Sequence, residues 1–84
     1  MSESKATENI VRACIELICF RSIGLDEPLL SSYVLDSMAR VELIVALETA
    51  FGMKIQLSEM GEANFETTRK ICSFIETKNG AIEE

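Results

Sequence analysis

Residues 34–52 read Val-Leu-Asp-Ser-Met-Ala-Arg-Val-Glu-Leu-Ile-Val-Ala-Leu-Glu-Thr-Ala-Phe-Gly. Asp36 and Ser37 open the run, where short polar side chains accept hydrogen bonds from backbone N–H groups that have no helical partner. Gly52 closes it, at the position where glycine takes the left-handed conformation without steric cost. These boundaries predict a helix over 37–51. Leu43, Leu47, Ala50 and Phe51 form one apolar stripe, an ordinary core face. Met38, Val41 and Val45 form a second stripe at i, i+3 and i+7, with Ile44 between the two. A helix on the outside of a small bundle needs one such face. The second is either a contact surface or the mark of a helix buried on most sides.

Before this helix, Ile10, Val11, Cys14, Leu17 and Ile18 recur at helical spacing and predict a first helix over about 7–20, capped by Ser4 or Thr7. Gly24 and Pro28 stop any continuation, because proline lacks an N–H and pushes Glu27 toward extended geometry. Residues 22–36 then form a long connection. Leu25, Leu29, Leu30, Tyr33, Val34 and Leu35 give it apolar anchors, so it is expected to lie across the helices. Beyond Gly52, one helical turn is expected over 58–62, capped by Ser58. A last helix is expected over about 67–77, capped by Thr67, with Ile71, Cys72, Phe74 and Ile75 inward. Residues 79–84 are expected to fray. No segment alternates with period two, so no sheet is predicted. The expected fold is all-α: a single domain over 1–84 with an ordered core at about 7–78, a small four-helix bundle of three main helices plus a short third one, and a long first loop.

Eighty-four residues leave no room for a second domain, and with 48% apolar residues the chain can collapse. Fourteen acidic against eight basic residues give a net charge of −6. That sign disfavours nucleic acid and anionic lipid and favours basic patches on other proteins. Histidine is absent, which removes the commonest general base and zinc ligand. Cys14, Cys19 and Cys72 lack CxxC spacing and occupy apolar helix positions, so they read as quiet buried thiols, with neither a disulfide framework nor a metal site. Residues 1–9 are too polar for a signal peptide, and no apolar run reaches the ~18 residues of a membrane span. A soluble, cytoplasmic monomer is expected. Glu42 and Glu48 read as solvated helix carboxylates, and Ser37 has no histidine to activate it, so no catalytic residue is assigned.

Ser37 stands out by position. It follows a loop, begins a helix and borders the second stripe, at a helix end that favours an anion. Taken alone, Asp36 and Ser37 are as well explained as helix caps. They are not alone. Leu25-Asp26-Glu27-Pro28-Leu29-Leu30, Val34-Leu35-Asp36-Ser37-Met38, Val41-Glu42-Leu43, Ala46-Leu47-Glu48, Phe51-Gly52 with Ile55, and Asn64-Phe65-Glu66-Thr67 follow one another in order. Over about residues 10–78 the chain resembles the acyl carrier protein family, which includes peptidyl and D-alanyl carriers. The resemblance implies that Ser37 is esterified to 4′-phosphopantetheine by a separate phosphopantetheinyl transferase, with Asp36 helping to position it. It also implies that the arm holds acyl or aminoacyl groups as thioesters, placed by a loading enzyme and passed to a downstream synthase or transferase. Such a protein catalyses nothing itself.

In this light the second stripe suits a docking face of Met38, Val41 and Val45, with Glu42 and Glu48 supplying rim charge and Arg40 within it. Fatty-acid carriers usually place further acidic residues where Ala39, Arg40, Thr49 and Ala50 stand. Leu35 before the Asp-Ser pair and the interval from Ile55 to Phe65 look closer to discrete aminoacyl, D-alanyl or polyketide carriers. Arg40 is thus expected to disfavour enzymes built for an all-acidic helix. The leading expectation is a carrier in a dedicated pathway. The alternatives are a housekeeping fatty-acid carrier and, from another class, an acidic helical interaction module.

Overall fold

The computed structural model describes the backbone of residues 2–32 and 34–83 and the side chains of 6–32 and 34–78. Tyr33, expected as a loop anchor, and the side chains of 79–84 lie outside the described residues. α1 begins at Ser2 rather than near residue 7, so Ser4 and Thr7, the expected caps, lie inside the helix and not at its start. The element order is α1 (Ser2–Cys19), α2 (Ser37–Phe51), a single 3-10 turn (Leu57–Glu59), α3 (Glu62–Phe65) and α4 (Thr68–Glu83). No strand occurs among the described residues. The protein is all-helical, α1 packs against both α2 and α4, and the short α3 packs against α4.

α2 runs between the predicted boundaries. The Asp36 carboxylate accepts from the Ala39 N–H at 2.8 Å. Gly52 adopts φ 62°, ψ 43° and its N–H returns to the Glu48 carbonyl. α1 differs from expectation in the face it buries. Val11 and Ile15 are fully buried and Cys14 and Ile18 half-buried, whereas Leu17 is 75% exposed and Ile10 lies at the edge. Seven apolar residues crowd positions 10–18, and choosing Leu17 over Ile15 rotates the face by two residues. The helix stops well before Gly24, with Phe20 at φ 63°. A side chain in that region costs about 1–2 kcal/mol.

After α2, the predicted turn capped by Ser58 is replaced. Gln56 caps the 3-10 turn and the Glu59 carboxylate reaches back to the Gln56 N–H at 2.9 Å. α3 follows as a separate element. Thr67 does cap α4, its Oγ1 accepting from the Lys70 N–H at 3.1 Å, and the α4 backbone continues past the expected end at Thr77 to Glu83.

The long connection lies across the helices with its apolar side chains turned inward, Leu25 and Val34 only half-buried, and is laced to the helices by hydrogen bonds. Ile23, Leu29, Leu30 and Leu35 are buried in the common core with Val11, Ile15, Leu43, Leu47, Phe65, Ile71 and Ile75. The Leu29 N–H donates to the Glu66 carbonyl at 2.7 Å and the Arg69 N–H to the Leu25 carbonyl at 3.0 Å. The Glu66 carboxylate accepts from the Leu30 and Ser31 N–H groups at 3.1 and 3.0 Å and from the Ser31 hydroxyl. Arg69 grips Asp26 with two hydrogen bonds of 2.9 and 3.2 Å.

These bonds set an acid limit. The Ser31 hydroxyl and N–H hold Glu66 below the usual carboxylate range, Arg69 does so for Asp26, and Arg21 for Glu27. A carboxylate depressed on folding contributes stability that is fully present above its unfolded pKa and is lost as pH falls through its folded value. Melting temperature is therefore expected to stay level from pH 7 to about 5 and to fall below about 4.5. Thermal unfolding followed by circular dichroism across pH 3–7 checks this. A level profile down to pH 3 would show that the clasp contributes nothing.

Candidate functional site

The site is the junction at which the laced loop becomes α2. Leu35 is fully buried and fixes the end of the loop from below. Asp36 then turns the chain in extended geometry (φ −79°, ψ −177°) and caps the helix. Capping falls to Asp36, so Ser37 is not needed for it. Ser37 is the first residue of α2, it is exposed, and its hydroxyl makes no hydrogen bond to another described residue. The bare-cap reading therefore accounts for Asp36 and leaves Ser37 without a structural duty.

Around it, the structure separates the two stripes of α2. Leu43 and Leu47 are fully buried, Ile44 nearly so and Phe51 half-buried, but Ala50, expected in the core stripe, is exposed. Met38, Val41 and Val45 are 73, 50 and 55% exposed. Three large apolar side chains thus face solvent on one side of one helix, beginning next to Ser37. Burial on most sides does not describe this helix.

The charged residues behave unequally. Glu42 is exposed. The Glu48 carboxylate turns to the helix exit and accepts from the Ile55 N–H at 2.8 Å, so it fixes the chain leaving Gly52 as well as flanking the stripe. Arg40 is half-buried and its Nε donates to the Leu35 carbonyl at 3.1 Å. Neither tie was visible from spacing, since each needs the loop and the helix end in place.

The cysteines are free and half-buried rather than buried as expected. Burial raises the thiol pKa of Cys14 and Cys19 and pushes Cys72 up to about 11. No group of three or more His, Cys, Asp or Glu among the described residues is placed to hold a metal ion. Among the described residues no helix is long and apolar enough to cross a membrane.

Comparison with known proteins gives a consistent answer. The family described as "Phosphopantetheine attachment site" matches residues 9–75. The D-alanyl carrier protein of Streptococcus pyogenes serotype M5 (strain Manfredo) is 44% identical over 52 residues, covering 62% of this chain and 66% of the relative. That of Streptococcus suis (strain 98HAH33) is 49% identical over 49 residues, covering 58% and 62%. The aligned part spans slightly less than two thirds of these curated relatives.

Proposed function

The chain belongs to the phosphopantetheine attachment-site family, and on that premise we propose that it is a non-catalytic carrier protein modified at Ser37 and serving a dedicated aminoacyl-transfer pathway, with D-alanine as the favoured cargo. The observation that carries this reading is an exposed serine hydroxyl at the head of α2, relieved of capping by Asp36. The residues present suit the group: the oxygen is open to a transferase, and the helix N-terminus favours the negative charge of a phosphodiester. When attached, 4′-phosphopantetheine supplies a terminal thiol able to hold an acyl or aminoacyl group. The chain's own contribution is to present that arm from a fixed point and to offer a recognition surface beside it. The names of the relatives favour D-alanine over the substrates of fatty-acid synthesis, as do Ala39, Arg40, Thr49 and Ala50 in place of acidic residues.

The direct test is incubation with coenzyme A, magnesium and a broad-specificity phosphopantetheinyl transferase, followed by intact mass. A carrier gains one arm. An interaction module stays at its starting mass, which would end the proposal. Loading trials with D-alanine, malonyl and fatty acyl donors then separate the cargo classes.

Met38, Val41 and Val45, with Glu42 and Glu48 at the rim, are the surface on which the transferase, the loading enzyme and the downstream acceptor enzyme would press. Apolar anchors supply contact, and rim charge speeds encounter. Val45→Asp places a carboxylate in the middle of this face without touching the core. Cargo loading is expected to fall at least about tenfold, the ~1.4 kcal/mol of one lost anchor. The circular dichroism spectrum and melting temperature should stay near wild type. A variant that unfolds, or one that loads normally, would remove Val45 from the docking face.

A further inference from the structure

Among the described residues the arginines divide sharply. Arg12 pairs with Glu8, Arg21 with Glu27, and Arg69 bidentately with Asp26. Arg40 has no carboxylate partner among the described residues, although the chain carries fourteen acids. Its hydrogen bond is to a backbone carbonyl, that of Leu35.

The direction of that bond matters. Arg40 lies three residues after Ser37 on α2, and positions i and i+3 of a helix are neighbours about 5–6 Å apart at Cβ. Helical side chains lean toward the N-terminus. The Nε bond to Leu35 shows that Arg40 does so, reaching back to the residue before the Asp36 cap. With Nε engaged, the terminal nitrogens keep four N–H donors in a planar fork suited to two phosphate oxygens. Glu42, two residues on, does not face Arg40 on a helix, and the carboxylate of Asp36, one turn back, is occupied by the Ala39 N–H.

We propose that Arg40 clamps the phosphodiester of the arm carried by Ser37, with Leu35 holding the guanidinium ready beforehand. The proposal rests on the carrier reading. It makes Arg40 a positioning residue that fixes the base of the arm against the first turn of α2.

The test compares wild type, Arg40→Lys and Arg40→Ala before and after arm attachment, with three readouts: the 15N–1H resonance of Arg40 Nε, the 31P resonance of the phosphodiester, and melting temperature. In wild type, attachment is expected to shift the Nε resonance. It should also raise the melting temperature by about 2–4 °C, less at high salt. Arg40→Ala should lose that rise and displace the 31P signal, and Arg40→Lys should keep part of both. An arm that attaches while the wild-type Nε resonance stays unmoved overturns the clamp and leaves the carrier reading intact. Equal melting shifts in wild type and Arg40→Ala do the same. Wild type that accepts no arm overturns the carrier reading and the clamp together. The wild-type Nε resonance needs no variant, so a poorly folded Arg40→Ala does not block the decision.

Discussion

Ser37→Ala is expected to gain no mass when incubated with coenzyme A and a permissive transferase, while its helicity and melting temperature match wild type. The expected effect is all-or-none, because one oxygen is removed and no neighbouring hydroxyl can take its place at the first position of α2. Stability is spared for a physical reason. Loss of a helix cap costs about 0.5–2 kcal/mol, but here the cap is the Asp36 carboxylate on the Ala39 N–H. Ser37 is exposed and its hydroxyl is bonded to no described residue. Asp36→Ala is the informative control: it should lower the melting temperature while leaving the hydroxyl available. Arm attachment to Ser37→Ala would move the modification elsewhere, and a large loss of stability would make Ser37 a structural residue after all.

The second large effect is in the core. Phe65→Ala is expected to cost about 3–5 kcal/mol, nearly the whole margin of about 5 kcal/mol for a domain of this size. Phe65 is fully buried although it sits in the four-residue α3. Its ring meets that of Phe74 at 5.4 Å and 55°, a tilted aromatic pair that adds to area burial. A four-residue helix has no stability of its own, so this side chain is what holds it. The next residue is Glu66, whose backbone and carboxylate tie down Leu29, Leu30 and Ser31. Truncating Phe65 should therefore loosen the loop that leads into Ser37, and not only α3. A melting temperature lowered by about 15 °C or more is expected, with early loss of amide protection at Leu29–Ser31. A drop of only two or three degrees would show that α3 is not a structural keystone.

How much of this was legible beforehand follows from distance along the chain. α2 was readable to the residue because its signals are local: Asp36 before it, Gly52 after it, and two apolar stripes along it. The two stripes, Met38, Val41 and Val45 against Leu43 and Leu47, were readable for the same reason, but which of them faces solvent was settled by the fold. α1 was harder. Its apolar residues outnumber the positions of one stripe, so periodicity alone did not decide between Ile15 and Leu17, and contact with α2 and α4 did. The loop's apolar anchors Leu29, Leu30 and Leu35 were visible as residue types. The Glu66 clasp joins groups 35 and 36 residues apart and has no sequence signature. At the candidate site, the pattern around Asp36 and Ser37 was legible. The division of labour between them, and the tie from Arg40 to Leu35, needed the folded chain.

The half-buried cysteines bear on chemical self-protection. An activated aminoacyl group is open to capture by any thiolate within reach, and capture depends on the fraction of sulfur that is ionised. Burial shifts the thiols of Cys14, Cys19 and Cys72 upward, Cys72 to about 11, so each is less ionised at neutral pH than an open thiol. On the carrier reading, three thiols shifted this way compete weakly for the cargo, and a mild alkylating label would favour the arm's own thiol over them.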